Sequence, residues 1–160
     1  MRSVRRGLCG FALLTMFVVN LSAADHQAGT WKRNTEKSKY DPGPPPTVAA
    51  ARTFEDRGGG VWVAITNTVP PEPTPRIYTA FKREGKDYPL WNKGGTTFQV
   101  ISFRKVGPRS WEYIVKTDGK PGTTKSVETF SADGKTYSVE VTGTNQQGKP
   151  VHNTEIWERQ

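Results

Sequence analysis

The sequence predicts an all-β protein, an antiparallel up-and-down β-barrel of about eight to ten strands. From residue 25 onward the chain holds 11 Val, 5 Ile, 18 Thr and 15 aromatic residues, but only Leu90 among leucines and no Met. Branched and aromatic side chains suit a pleated, half-buried surface, whereas helices draw on Leu, Ala and Met. No window carries a 3.6-residue apolar period over three turns. All 12 Pro and 14 of the 16 Gly fall in the same region, clustered between β-rich runs. Such clusters are the punctuation of a meander.

Residues 1–24 read as a secretory signal peptide. Arg2, Arg5 and Arg6 form a basic opening, Gly7 to Leu21 an apolar stretch, and Ser22-Ala23-Ala24 the small residues before a cleavage site. Residues 25–160 are then one domain, secreted or periplasmic, with 20 basic and 15 acidic side chains and no Cys. That composition excludes thiol nucleophiles, thiolate metal sites and disulfide frameworks. The length supports one core rather than two.

Thr30 to Arg33 is expected as a short first strand, followed by a polar turn over Asn34 to Tyr40. Asp41 to Pro46, with four prolines, must be extended and outside any central strand. Thr47 to Asp56 and Val61 to Val69 pair across Arg57-Gly58-Gly59-Gly60, and the proline-rich Pro70 to Pro75 leads to Arg76 to Lys82. The remaining expected strands are Asp87 to Trp91, Thr96 to Lys105, Ser110 to Thr117, Thr123 to Ser131, Lys135 to Thr142 and Val151 to Glu158. Recurrent Gly-Lys pairs, as in Asp118-Gly119-Lys120 and Asp133-Gly134-Lys135, supply hairpin loops that need positive φ.

Alternation assigns the faces. Trp111, Tyr113 and Val115 oppose Glu112 and Lys116, and Tyr137, Val139 and Val141 oppose Ser138 and Glu140. By the same rule Val61, Val63 and Ile65 point inward, and Trp62, Ala64 and Thr66 outward. Thr123 to Ser131 gives no clear inward face. One apolar face per strand and short connections favour a closed barrel, since closure removes exposed strand edges. An outer-membrane barrel would need an apolar outer band, and here the outer face carries Thr, Glu and Lys.

Gly29-Thr30-Trp31 on the first strand of such a meander resembles the opening motif of the lipocalin-like, calycin-type barrels. The resemblance implies that Trp31 closes the barrel base and that Arg159, after Trp157-Glu158, stacks on it. A longer pattern, Gly29 to Asn34 with Lys37-Ser38-Lys39-Tyr40 and the Asp-Gly-Lys turns, is similar to a family of exported bacterial proteins, which implies no particular activity.

Catalytic candidates are few. His26 lies near the chain start and His152 on an outward face, so neither forms a triad or a zinc site. On strand parity Arg52 and Glu155 point inward, either as a structural pair or as a polar anchor for a ligand. A two-carboxylate hydrolase is the enzymatic alternative. Lys32, Arg33, Lys37 and Lys39, and Lys82, Arg83 and Lys86, form loose basic groups rather than a binding stripe, so no nucleic acid is expected.

The expected function is non-enzymatic binding of a small apolar or amphipathic molecule in the barrel, with no cofactor and no metal. Candidate interior or mouth residues are Arg52, Tyr88, Trp91, Trp111, Tyr113, Tyr137, Asn153 and Glu155, with Gly29, Trp31 and Arg159 as the structural motif. The alternative is a filled barrel whose basic loops contact anionic envelope polymers such as glycans or lipid headgroups.

Overall fold

In a computed structural model, residues 26–69, 77–97, 99–117, 120–121, 124–144 and 148–160 are described, and every regular element among them is a strand. They are β1 (Gly29–Lys39), β2 (Ala50–Asp56), β3 (Trp62–Thr68), β4 (Ile77–Phe81), β5 (Asp87–Asn92), β6 (Gln99–Gly107), β7 (Ser110–Thr117), β8 (Lys120–Pro121), β9 (Thr124–Phe130), β10 (Thr136–Thr144) and β11 (Pro150–Arg159). The expected signal peptide, the Pro70 to Pro75 connector and the Asp118-Gly119 turn lie outside the described residues.

Each long strand pairs antiparallel with its neighbour, and β1 pairs with both β2 and β11. With β6 on β7 and β7 on β9, the ring closes. The result is a ten-strand antiparallel up-and-down barrel, with two-residue β8 as a side arm on β7. Closure satisfies the backbone of both edge strands without a second sheet.

The β2–β3 hairpin shows how local sequence sets the ring. Asp56 Oδ1 accepts a hydrogen bond from the Gly58 amide at 2.8 Å, and Gly58 to Gly60 all take positive φ. Side chains with a Cβ rarely adopt that backbone, so the glycine run sets the turn.

Two expectations are corrected. Residues 34–39 continue β1 instead of forming a separate turn, although the register against β11 slips between Asn34 and Lys39. Asn34 makes that bulge: its Oδ1 accepts from the Lys37 amide, and its carbonyl accepts from Ser38 Oγ. The polar run thus does locally turn-like bonding without leaving the strand.

The second correction is the face of β3. Trp62 is buried, while Ala64 and Thr66 line the interior and Ile65 pairs with Tyr78 on the outside. The apolar-inward rule assumes a filled core. Here the interior at the middle of β3 is hollow, so small residues stand inside and the larger Val63 and Ile65 stand outside.

Candidate functional site

The barrel base is solid. Trp31, fully buried, meets Phe130 and Tyr137 edge-on at 5.4 and 5.0 Å between ring centres, and Tyr137 stacks on Trp157 at 5.6 Å. Arg159 lies 4.3 Å above Trp31 and donates to the carbonyls of Gly134 and Ala28 at 2.6 Å each. Gly29 leaves room for that guanidinium, since a Cβ there would collide with Arg159 Nη1. On the other side of the base, Arg83 lies between Trp62 and Trp111, 4.6 and 3.9 Å from their rings. A guanidinium between indole faces is held by the negative potential of both rings. The sequence placed Arg83 in a loose surface group; it is instead an interior packing residue.

Beyond this base the packing opens into a cavity of about 210 Å³. Its apolar wall includes Phe54, Ala64, Leu90, Ile101, Phe103 and Val115, with Thr66 and Thr79 among them. Short side chains on β3 and β4 leave the space, because nothing on those strands reaches across. A second, more open hollow of about 600 Å³ lies beside Pro46, Thr47, Val48 and Asn67. It shares Thr66 and Ile77 with the inner cavity, which places the mouth at the ends of β3 and β4.

Two ionisable side chains of opposite charge line this interior, Arg52 and Glu128, and the Tyr137 hydroxyl lies in the base beneath them. Arg52 lines the cavity; its Nε donates to Thr66 Oγ1 at 3.1 Å, and its guanidinium lies 4.8 Å from the Trp157 ring. Burial opposes its charge, but Tyr137, Tyr113, Glu128 and Glu155 around it raise its pKa above the ordinary arginine value, so it stays a cation. Glu128 is 1 % exposed, and burial pushes its carboxyl up to about 7 against the pull of Arg52 and Arg83. Glu128 Oε1 accepts from Gln27 Nε2 at 3.3 Å, while Oε2 has no hydrogen-bond partner. The Tyr137 hydroxyl also lacks one, and burial raises its pKa well above the ordinary tyrosine value. Polar groups left like this in a dry interior are costly unless a ligand or water completes them.

The expected Arg52–Glu155 pair is corrected. Both residues are on the inward face, but Glu155 Oε1 bonds Arg33 Nη1 at 3.2 Å, and its Oε2 accepts from Trp157 Nε1 at 3.2 Å. Arg33, expected as surface charge, has a side chain only 11 % exposed and also donates to the Val48 carbonyl at 2.7 Å. Glu155 therefore fastens the residues leading into β2, and Asn153 does the same by accepting from the Asp41 amide at 3.0 Å. These two shape the mouth rather than the cavity floor.

Of the other candidates, Tyr113 lines the cavity, and Trp111 and Tyr137 lie in the base beneath it. Tyr88 packs against the core while its hydroxyl donates to Glu84 at 2.6 Å. Trp91 is misassigned: it stacks on Tyr78 at 6.0 Å on the outer face, because parity puts Leu90 inside. Glu128, Ala64, Thr66 and Thr79 were absent from the expected site. Glu128 shares its strand face with Ser126 and Phe130, and only the buried Phe130 signalled that this face is inward. Gln27 carries no sequence signal at all. Among the described residues no cluster of three His, Cys, Asp or Glu side chains is arranged to hold a metal ion.

No family model matches the chain, and no curated protein is significantly similar to it. Solved structures do match in fold. The fluorescent protein UnaG, solved as a single-site mutant, is 18 % identical, with 85 % of this chain and 97 % of that one covered at a TM-score of 0.60. The fatty-acid-binding protein 1 of Echinococcus granulosus is 14 % identical, with 84 % and 98 % covered at 0.58. The zebrafish ileal bile acid-binding protein, solved with cholic acid, is 13 % identical, with 84 % and 99 % covered at 0.57. At these identities the likeness concerns the fold, a calycin-type barrel.

Proposed function

We propose that this chain is an exported, non-enzymatic binding protein that holds one small apolar or amphipathic molecule in its barrel. The observation that carries the reading is the hollow half of the barrel: a cavity with an apolar wall, a mouth and one buried cation, Arg52. Apolar cavities with a few convergent polar groups are the usual form of a small-molecule site. The inner cavity is small for a whole lipid, so a head group with the first part of its tail fits inside and the rest extends into the outer hollow. Two of the similar barrels are named for binding fatty acids and bile acids, which supports the same ligand class here. The filled-barrel alternative is weaker, because Arg33 and Arg83 from its basic groups are engaged inside the protein.

Export rests on the basic, apolar and small-residue pattern of residues 1–24, and kinship with exported bacterial barrels on Gly29 to Tyr40. Native mass spectrometry of the protein from the exported fraction of its own cells tests the reading. A reproducible added mass lost on denaturation, on a chain starting at Asp25, is expected. A bare polypeptide that takes up no apolar probe at micromolar concentration would refute the carrier role.

A further inference from the structure

We propose that the ligand head group taken by this cavity is one that accepts and donates hydrogen bonds together, such as a primary amide on a linear apolar tail, rather than a permanently anionic head. The inference deepens the proposed function and rests on it. Arg52 and Glu128 line the same cavity, yet no direct ion pair joins them. Arg52 offers N–H donors beyond the one bound to Thr66, and Glu128 Oε2 and the Tyr137 hydroxyl have no partner. An amide between them completes both sides: its carbonyl accepts from Arg52, and its N–H donates to Glu128 Oε2.

A carboxylate head meets a different balance. It would pair with Arg52 but bring a second negative charge beside an ionised Glu128 in a low-dielectric interior, where like charges repel strongly. It binds well only after Glu128 takes up a proton. The charged groups around Glu128 are Arg52 from β2 and Arg83 from the turn after β4; Tyr113 and Tyr137 face it from β7 and β10. Both tyrosines have raised pKa values and remain neutral near pH 7, and Arg52, raised above the ordinary arginine value, remains charged. Between pH 6 and 8 the group that changes charge in this cluster is therefore Glu128.

Calorimetric titration of the ligand-stripped protein with decanamide and decanoate, which share a tail length, tests the proposal. At pH 8 decanamide is expected to bind about ten-fold tighter than decanoate, the scale set by leaving a buried charge uncompensated. At pH 6 decanoate gains and the gap narrows, and Glu128→Gln removes the gap at pH 8. Decanoate binding as tightly as decanamide at pH 8, or a gap that does not change with pH, would overturn the proposal; both readouts come from the unsubstituted protein. Failure of both probes, together with failure of a neutral apolar fluorophore, would overturn the carrier reading itself.

Discussion

The two halves of this barrel fill their interiors in opposite ways. At the base, five strands contribute Trp31, Trp157, Tyr137, Phe130 and Trp111, whose rings meet at 4.8 to 5.8 Å. Further along, β3 and β4 contribute Ala64, Thr66 and Thr79 to the interior, and a cavity results. Stability is concentrated where ring packs on ring and guanidinium on indole. The hollow half keeps its shape from the closed backbone ring and from the anchors Arg33, Glu155 and Asn153. A barrel whose base alone is filled can leave its other half empty without unfolding.

The comparison breaks most sharply if the base is emptied. Trp31→Ala should lower stability by about 3–5 kcal/mol, as for other buried aromatic truncations, measured by urea unfolding. Next comes the boundary between the halves. Glu128 has a folded pKa of about 7, above its ordinary 4.5, so the folded state keeps a proton that the unfolded chain has lost. Its contribution is present below pH 4.5 and is lost as pH rises to 7, a change of roughly 3 kcal/mol. Glu128→Gln should flatten the stability profile in that window; an unchanged slope would place the carboxyl in a wetter setting. In the hollow half the effect should fall on binding instead. Ala64→Phe should fill the cavity and weaken uptake of a small neutral fluorophore more than about ten-fold, while the thermal midpoint holds or rises. Smallest is the outer face, where Trp91→Ala should remove about 1 kcal/mol of stacking on Tyr78 and leave fluorophore affinity unchanged.

Most of the fold was legible because strand composition, proline clusters and glycine turns act locally. Ser110–Thr117 falls on its expected bounds, and the inward faces of β7, β10 and β11 follow simple alternation. The site was less legible for a single physical reason. Alternation identifies an inside by its bulk, and a binding cavity is an inside deliberately short of bulk. Hence alternation exchanges the faces of β3 and puts Trp91 at the mouth, whereas it stands on the outer wall. Arg33 and Arg83 look like solvent charge in the sequence, which does not show which indole or carboxylate a long side chain will reach. The Asn34 bulge was visible only as a polar run that interrupts alternation.

The central claim is that one half of the barrel is an open container. Its most direct test is equilibrium titration of the protein and of Ala64→Phe with 1-aminoanthracene, a small neutral fluorophore. Saturable uptake of one molecule per chain by the unsubstituted protein, lost in the equally stable variant, is the predicted result. No saturable uptake, or uptake that the filled variant retains, would contradict it.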